Sequence, residues 1–320
     1  MSQTQSFDVS ATFAVKAPRG LMIEGFADAT HPNVPALQPY VFPKGLNAVL
    51  AFLRAADGDG LLLTGPTGAG KTSLVRQIAA RLHWPVQELT CHGRLEFADL
   101  LGGFQLRNGD THFVHGPLAI AARDGHLLIV NEIDLMDPAE LAGLNAVLEG
   151  APLVIAQNGG EVIQPHRKFR VIATANSAGA GDPSGLYQGV LRQNLAFLDR
   201  FRVLAVGYPD PETEQSLLDQ LVPELPREIA EKLIVVANEV RRLFLGESNE
   251  QAGGTSELTV TLSTRTLLRW ARLTVTFKGA PNPLAYALDH ALTARAEPQE
   301  REAVHRIAAD VLGPLWTGRP

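Results

Sequence analysis

One segment of the chain, Gly65–Thr72 with the sequence GPTGAGKT, has the residue types and spacing of a loop that binds phosphate groups. Its glycines allow backbone conformations and close approaches that a Cβ would block, so that backbone N–H groups can point inward. We expect these donors, with the positive end of the following helix dipole, to hold the α- and β-phosphates of a nucleotide. Lys71 is then predicted to reach the β- and γ-phosphates, and the Thr72 hydroxyl to reach Mg²⁺.

The residues on either side of this loop predict the elements that must position it. Leu61–Thr64 is an apolar run typical of a buried strand, and Thr72–Leu82 has the spacing of a helix. A glycine-rich turn that matches the pattern by chance is the alternative, and the flanking strand and helix favour the phosphate loop. The predicted nucleotide-binding residues are Gly65, Pro66, Thr67, Gly68, Ala69, Gly70, Lys71, Thr72 and Ser73.

A second motif follows the apolar run Leu127–Val130, which is typical of a strand buried on both faces. In a nucleotide hydrolase such a strand is expected to end in Asp-Glu, whereas this chain has Asn131 and Glu132. Glu132 is predicted to be the general base, although a solvated acidic residue at a strand end is the alternative. Asn131 can accept a hydrogen bond from a metal-bound water but adds no negative charge, and Asp134 is a candidate to supply it. The predicted metal-site residues are Thr72, Asn131 (through water) and Glu132.

The next predicted strand, Phe169–Thr174, delivers Asn176 at its carboxyl end. Because ligands of doubly wound sheets bind at the carboxyl ends of the strands, Asn176 should lie with Gly65 and Glu132. A neutral amide there can hold the attacking water or contact the γ-phosphate. An Asn that caps the following turn is the alternative. The predicted catalytic residues at this edge are Lys71, Glu132 and Asn176.

Two arginines beside aromatic residues, Arg200 and Arg202, precede the predicted strand Val203–Val206. Arg200, the fourth predicted catalytic residue, can project from one subunit onto the γ-phosphate held by the next, a contribution worth about 10³–10⁵ in rate. Arg202 is the second candidate, and a surface ion pair between Arg200 and Asp199 is the alternative interpretation. Arg265, near the start of a predicted amphipathic helix, is a candidate to report the γ-phosphate to a helical domain.

The composition excludes several classes of protein. The 320 residues are 45% hydrophobic and 19% charged, which fits a globular protein, and their number favours two domains. The formal net charge of -6 argues against broad attraction to nucleic acid, although a local basic channel in an oligomer would not be visible in that total. Because no apolar stretch is long enough for a membrane helix and the first residues lack a signal-peptide pattern, we expect a cytoplasmic protein without a membrane partner. The single cysteine, Cys91, excludes an internal disulfide.

Three regions of the chain differ in their sequence pattern. Residues 1–40 contain several prolines and few periodic segments, which predicts an irregular N-terminal arm. Residues 41–208 alternate strand and helix patterns, which predicts an α/β fold with a doubly wound parallel sheet and two hairpins, at Phe104–Val114 and Leu153–Ile163. Residues 209–320 contain helical patterns alone, which predicts an all-helical lid domain and a C-terminal tail. Predicted helices include Ala139–Glu149, Glu212–Leu221, Arg227–Leu245, Ser263–Phe277 and Leu284–Arg295.

Together these motifs resemble the AAA+ ATPases of the MoxR type, within the P-loop NTPases, and most closely the ATPase subunits of aerobic cobaltochelatase, the CobS type. The most specific likeness begins in the predicted strand that delivers Asn176. It comprises Ala173–Asp182, Ser184–Gly189, Gln193–Asn194 and Leu198–Arg200. The resemblance extends from about Tyr40 to Arg272 and implies an AAA+ core with a helical lid.

The resemblance implies roles for residues that the motifs singled out. It makes Asn176 sensor 1, Arg200 a finger that acts on a neighbouring subunit, and Arg265 sensor 2. It also implies that the two predicted hairpins face the pore of a hexameric ring. The family implies ATP-driven remodelling of a protein partner, commonly one with a von Willebrand A domain, with ATP and Mg²⁺ as cofactors.

We therefore expect a homo-oligomeric ring, a hexamer by resemblance, that hydrolyses ATP at subunit interfaces and acts on a protein partner. A nucleotide-gated assembly module with slow or no hydrolysis is the second hypothesis, because Asn131 replaces the family's aspartate. A nucleic-acid-associated NTPase or a restriction-type GTPase is the third, and the acidic net charge disfavours it. No segment of the sequence resembles a cobalt or corrin site, and ATPases of this type act on several kinds of partner. The resemblance therefore does not by itself predict a role in metal chelation.

Overall fold

The computed structural model describes residues 3–177, 179, 181, 189–246 and 258–317. Part of the segment that carries the family resemblance, namely Ala178, Ala180 and residues 182–188, lies outside them. The chain divides into two compact units. The sheet unit comprises Met1–Gln38, Lys44–Pro66 and Gly70–Val206, and the helical unit comprises Pro39–Pro43, Thr67–Ala69 and Gly207–Pro320.

The elements are numbered here in chain order over the described residues. The strands are β1 Thr4–Asp8, β2 Met22–Phe26, β3 Gly60–Thr64, β4 Val86–Thr90, β5 Gly102–Arg107, β6 Asp110–His115, β7 Leu127–Asn131, β8 Leu153–Ile155, β9 Glu161–Ile163, β10 Arg170–Ala175 and β11 Phe201–Ala205. The α-helices are α1 Val9–Phe13, α2 Leu46–Arg54, α3 Lys71–Arg81, α4 Phe97–Leu101, α5 Pro117–Asp124, α6 Pro138–Leu141, α7 Asn145–Leu148, α8 Leu195–Leu198, α9 Pro211–Leu221, α10 Arg227–Phe244, α11 Thr264–Thr276, α12 Pro283–Ala291, α13 Pro298–Leu312 and α14 Pro314–Thr317.

The centre of the sheet unit is a five-stranded parallel sheet with the strand order β11-β3-β10-β7-β4. Every residue of β3 and of β7 is buried, as their uninterrupted apolar runs predict for strands covered on both faces. The helices α3 and α5 lie between these strands in the chain, so the predicted α/β fold with a parallel sheet is confirmed.

The strand register brings three carboxyl ends to one edge of this sheet. Thr64 at the end of β3 lies opposite Ala175 at the end of β10, and Val130 of β7 lies opposite Ala173. On the other side of β7, Thr90 of β4 lies opposite Asn131. The segments that follow β3, β7 and β10 therefore begin side by side, which is where a doubly wound sheet binds its ligands.

The prediction of an irregular N-terminal arm is wrong for residues 4–26. The strands β1 and β2 pair antiparallel around α1, with Thr4 opposite Phe26. The Phe26 N–H donates to the Leu82 carbonyl, and Gly25 passes so close that a Cβ would lie 2.2 Å from the same oxygen. This pairing joins segments that are distant in sequence and too short to show a period, so the sequence pattern alone did not predict it.

Both predicted hairpins form, β5 with β6 and β8 with β9. The predicted helix Ala139–Glu149 is instead two short helices, α6 and α7, separated by a 3₁₀ turn at Ala142–Leu144. Gly143 in that turn lies where a Cβ would be 2.5 Å from the Phe97 ring, so the packing of this ring leaves no room for a side chain at position 143.

The helical unit is built from α9 to α14 around the fully buried Trp270. The helix α13 was not predicted, although Val304, Ala308 and Leu312 are buried at the four-residue spacing of an apolar helix face. Within this unit the Arg241 guanidinium donates to both carboxylate oxygens of Glu214, at 2.8 and 2.7 Å. Among the described residues, no helix has the length and apolar character needed to cross a membrane.

Candidate nucleotide site

The loop after β3 has the backbone geometry that its glycines predict. Gly65 has φ 145°, and a Cβ there would lie 2.1 Å from the carbonyl oxygen of Val206. Gly70 has φ 93° and immediately precedes α3, which begins at Lys71. A side chain at Gly65 would collide with backbone, and one at Gly70 would be strained, because L-residues rarely adopt positive φ. The strand-to-helix turn therefore requires glycine at both positions.

The Lys71 side chain joins the loop to the end of β10. Lys71 is 8% exposed, and its ammonium donates to the carbonyls of Gly65 at 2.6 Å and Pro66 at 3.0 Å. The third contact is the Asn176 side-chain oxygen at 3.2 Å. Burial lowers the pKa of Lys71 to about 8, against the opposing charges of Asp134 and Glu132. The predicted proximity of Lys71 and Asn176 is thus present in the fold.

The Thr72 side chain, in the first turn of α3, contacts Asn131, the last residue of β7. The Thr72 hydroxyl donates to Asn131 Oδ1 at 2.6 Å, and the Thr174 hydroxyl donates to the same oxygen at 3.3 Å. Asn131 is 7% exposed, and its Nδ2 donates to Glu88 Oε1 on the adjacent strand at 2.8 Å. Both ends of the amide are therefore used, and their hydrogen bonds fix which way it points.

Glu88 was not among the predicted site residues. It lies on β4, and its other carboxylate oxygen accepts from Arg76 Nε at 2.7 Å. The only sequence signal is a charged residue within a strand that neighbours the one ending at Asn131. That signal becomes specific once the β4–β7 register is known, since Thr90 pairs with Asn131 and Glu88 lies two residues before it.

Glu132 stands in a backbone conformation that suits glycine better. Its φ and ψ are 55° and 46°, in the left-handed region, at a cost of about 1–2 kcal/mol for an L-residue. The Glu132 N–H donates to the Thr174 hydroxyl at 3.2 Å, and its side chain is exposed. Strain at a polar residue beside a phosphate loop is typical of a functional position.

Asp134, the candidate to supply the missing charge, contacts the backbone that follows β10. The residue is fully buried, and Oδ2 accepts the backbone N–H groups of Asn176 at 3.0 Å and Ser177 at 3.3 Å. Its Oδ1 has no hydrogen-bond partner among the described residues. Asp134 therefore positions the backbone on which Asn176 stands, and its role in replacing the charge missing at position 131 remains a prediction.

The two candidate finger arginines make different contacts. Arg200 pairs with Glu149 through Nε at 2.9 Å and Nη2 at 2.5 Å, and also donates to the Ala196 carbonyl. The alternative interpretation of Arg200, a surface ion pair with Asp199, named the wrong partner, because the pair is formed with Glu149. Arg202 is held by Asp59 at 2.7 Å and by further acceptors in the same turn, so its guanidinium braces the start of β3. Arg202 is therefore the weaker candidate for a contact with another subunit.

Arg265, the predicted sensor 2, is the second residue of α11 and is exposed. The helix belongs to the helical unit and is capped by Ser263, whose hydroxyl accepts the Thr266 N–H at 3.2 Å. A role for Arg265 in sensing nucleotide remains a prediction.

The oxygen atoms around Thr72 are suitable ligands for Mg²⁺. This ion binds oxygen, retains several waters, and usually takes one or two carboxylates with substrate phosphates. Oxygen ligands of this kind are available in three groups that hydrogen bonds link to one another: the Thr72 hydroxyl, the Asn131 amide oxygen and the Glu88 carboxylate. The thiol of the nearby Cys91 does not, because burial raises its pKa to about 12 and keeps it protonated. In the described part of the chain, no group of three or more His, Cys, Asp or Glu residues could hold a metal by itself.

Two family models match most of the chain. Residues 60–201 match the AAA domain of the dynein-related subfamily, and residues 214–311 match the C-terminal domain of CbbQ, NirQ and NorQ proteins.

Several curated proteins are similar over a large part of their length. The aerobic cobaltochelatase subunit CobS of a Sinorhizobium species is 30% identical over 249 residues, which cover 74% of this chain and 72% of that protein. The NorQ protein of Paracoccus denitrificans is 27% identical over 276 residues, which cover 86% and 94%. An uncharacterised protein of Staphylococcus haemolyticus is 31% identical over 198 residues, which cover 60% and 72%.

The parallel sheet, the glycine-rich strand-to-helix turn and the AAA match define a P-loop NTPase with an AAA+ core. The chain belongs to the MoxR-type AAA+ ATPases, and the CobS and NorQ proteins are its relatives within that family. The family resemblance expected from the sequence is thereby confirmed.

Proposed function

We propose that the protein binds ATP with Mg²⁺ in the loop Gly65–Thr72 and hydrolyses it. The observation that carries the proposal is the Lys71 ammonium between the loop carbonyls and Asn176 Oδ1, which joins the phosphate loop to the end of β10. An ammonium at this place can neutralise charge on the β- and γ-phosphates. The residues named as nucleotide-binding in the sequence, Gly65 to Ser73, remain the proposed site.

Each polar residue at this edge has a proposed task in hydrolysis. Glu132 accepts a proton from the attacking water, as a general base next to the loop. Asn176 orients that water or the γ-phosphate, and Asp134 fixes the backbone of Asn176. A bound Mg²⁺, held through Thr72 and Asn131, would add electrostatic stabilisation of the phosphate charge.

We further propose a homo-oligomeric ring, a hexamer by family resemblance, in which Arg200 completes the neighbouring site. In the single chain Arg200 is engaged by the half-exposed Glu149. A surface ion pair is worth at most about 1 kcal/mol, so the γ-phosphate of a neighbour can compete for the guanidinium. The pair with Glu149 would then hold Arg200 ready between nucleotide cycles.

The proposed work of the ring is the remodelling of a protein partner. The hairpin β5–β6 exposes Phe104 and Leu106, which are 60% and 75% exposed, and β8–β9 exposes Val154 and Val162. Exposed apolar side chains on such hairpins are suited to bind another polypeptide. The cobaltochelatase relative suggests a partner within a multi-subunit enzyme, and a von Willebrand A domain protein is the partner class that we propose first.

Mixing experiments test the ring and the finger together. We expect ATPase activity per chain to rise with protein concentration, and Arg200→Ala added to wild type to lower activity more than in proportion to its share. Arg227→Ala is the matched control, because it likewise removes an arginine from an exposed ion pair, here with Glu231. Activity that is independent of concentration and falls only in proportion to added Arg200→Ala would refute a finger supplied by a neighbour.

A second candidate is a nucleotide-gated assembly module that turns ATP over very slowly. The neutral amide of Asn131 favours it, because a carboxylate is expected at that position. The two candidates differ in the fate of bound ATP. If intact ATP leaves the protein faster than it is hydrolysed in a single-turnover experiment, the assembly module is supported and the hydrolase is not.

A further inference from the structure

We propose that Glu88 is the acidic residue of the Mg²⁺ site and that it acts through Asn131. This inference rests on the proposed binding of Mg²⁺ and ATP. It identifies the residue that supplies the negative charge which Asn131 lacks. The carboxylate is supplied by the neighbouring strand β4, and the Asn131 amide links it to Thr72. Glu88 is in this sense a positioning residue that also carries the charge.

The first argument is the continuous hydrogen-bonded chain from helix α3 to strand β4. The Thr72 hydroxyl donates to Asn131 Oδ1 at 2.6 Å, and Asn131 Nδ2 donates to Glu88 Oε1 at 2.8 Å. A hydrogen bond to a carboxylate is charge-assisted, and it polarises the amide so that Oδ1 becomes a stronger acceptor and ligand. The charge of Glu88 is thus felt at the oxygen that faces Thr72.

The second argument is that asparagine at 131 and glutamate at 88 suit each other. The amide supplies the donor that Glu88 accepts, whereas an aspartate at position 131 would place two carboxylates within hydrogen-bond distance. Like charges so close cannot both ionise without a large penalty, so one would be protonated or the side chains would move apart. The substitution Asn131→Asp alone therefore does not restore an ordinary Mg²⁺ site in this chain.

The third argument concerns Arg76, which contacts the other oxygen of Glu88 at 2.7 Å. Half of the Arg76 side chain is exposed, so this ion pair is weak and screened by water. Arg76 holds the carboxylate in place while it withdraws part of the negative charge. Its removal should change Mg²⁺ affinity far less than removal of Glu88.

The experiment measures Mg²⁺ affinity without hydrolysis. A fluorescent ATP analogue that cannot be hydrolysed is bound to the full chain, and Mg²⁺ is titrated against the fluorescence change. We compare wild type, Glu88→Gln, Asn131→Asp and the double variant. In the double variant the hydrogen bond is reversed, because the new amide at position 88 can donate to the new carboxylate at position 131. The control Glu239→Gln removes a carboxylate from a partly exposed ion pair with Arg242 in the helical unit.

For Glu88→Gln we expect the Mg²⁺ concentration at half-saturation to rise about 10–100-fold, as when the outer partner of a metal ligand is lost. The double variant should return to within a few-fold of wild type, and Glu239→Gln should equal wild type. If Glu88→Gln binds Mg²⁺ as wild type does, the inference is wrong. A double variant that is as weak as Glu88→Gln overturns it as well, because only loss of structure would then explain the single variant.

Failure of the proposed function would look different. If wild type shows no nucleotide binding with or without Mg²⁺, the proposed ATP site fails, whatever Glu88 does. If wild type binds the analogue in a Mg²⁺-dependent way and Glu88→Gln leaves that dependence unchanged, only the role of Glu88 fails. Should Glu88→Gln not fold, Asn131→Asp decides instead. The inference expects this variant to bind Mg²⁺ no more tightly than wild type, because two carboxylates would be adjacent, and a clearly tighter binding of Mg²⁺ would overturn the role of Glu88.

Discussion

The Lys71 ammonium lies 3.2 Å from the side-chain oxygen of Asn176, across the edge where β3 and β10 end side by side. The same ammonium also binds the carbonyls of the loop that precedes it. A change in what Lys71 contacts can therefore be transmitted directly to Asn176 and to the strand that bears it.

Replacement of Asn176 by alanine should slow hydrolysis without abolishing nucleotide binding. The amide is proposed to orient the attacking water or the γ-phosphate, whereas the loop N–H groups and Lys71 hold the nucleotide. We expect kcat to fall about 10–100-fold and the affinity for ATP to change by only a few-fold. Parallel measurements of single-turnover rate and equilibrium binding check this. An equal loss in both quantities would assign Asn176 to binding instead.

Replacement of Asp134 by alanine should have an effect of the same kind as the loss of Asn176. Asp134 accepts the backbone N–H groups of Asn176 and Ser177 and has no access to solvent. We expect the two substitutions to be strongly non-additive in kcat, because they disable the same unit. Asp134→Asn keeps an acceptor oxygen and is the matched control, with a smaller loss. Additive effects would show that Asp134 acts independently of Asn176.

The affinity for ATP should fall as the pH rises through about 8. Burial lowers the pKa of Lys71 to about 8 from 10.5, so above about 8 the folded protein increasingly holds a neutral amine that attracts phosphate poorly. The apparent dissociation constant should then rise by about tenfold per pH unit, because binding requires uptake of one proton.

The sign of the same shift fixes its effect on stability. Between pH 8 and 10.5 the unfolded chain binds more protons at Lys71 than the folded one, so the burial of the charged Lys71 costs stability below about pH 8 and this cost is lost as the pH rises to 10.5. The matched variant Lys71→Arg stays protonated, and its affinity should be flat over this pH range. A wild-type affinity that is equally flat would disprove the lowered pKa.

In the helical unit, Glu214→Gln should be strongly destabilising. The side chain of Glu214 is 0% exposed and that of Arg241 is 4% exposed, and they share two hydrogen bonds. Loss of the carboxylate leaves a buried guanidinium without its counter-charge, which costs about 3–5 kcal/mol. Glu231→Gln, which breaks an exposed pair with Arg227, should cost at most about 1 kcal/mol. Urea unfolding of both variants measures the difference, and equal stabilities would refute the expected role of burial.

The sequence allowed the prediction of features that depend on local pattern. The loop Gly65–Thr72 and the buried run Leu127–Val130 combine residue type with spacing, and both lie where the α/β alternation predicts. Asn176 could be placed beside them because parallel strands share one carboxyl edge.

Other contacts could not be predicted because they depend on which strands are neighbours. The contact between Glu88 and Asn131 exists only because β4 is next to β7 in the sheet, which no local pattern reveals. The pairing of Arg200 with Glu149, rather than with the adjacent Asp199, likewise depends on how separate segments pack. In the N-terminal segment, β1 and β2 stabilise each other as a pair and neither is long enough to be recognised by itself.

Single-turnover hydrolysis by Glu132→Gln tests the central proposal most directly. Glu132 occupies a strained backbone position next to the loop and its side chain is exposed toward solvent, as a general base for water must be. With ATP prebound and Mg²⁺ saturating, we predict hydrolysis about 10²–10⁴-fold slower than in wild type, with ATP affinity changed only a few-fold. A Glu132→Gln protein that binds and hydrolyses ATP at the wild-type rate would contradict the proposal that this edge of the sheet is the catalytic site.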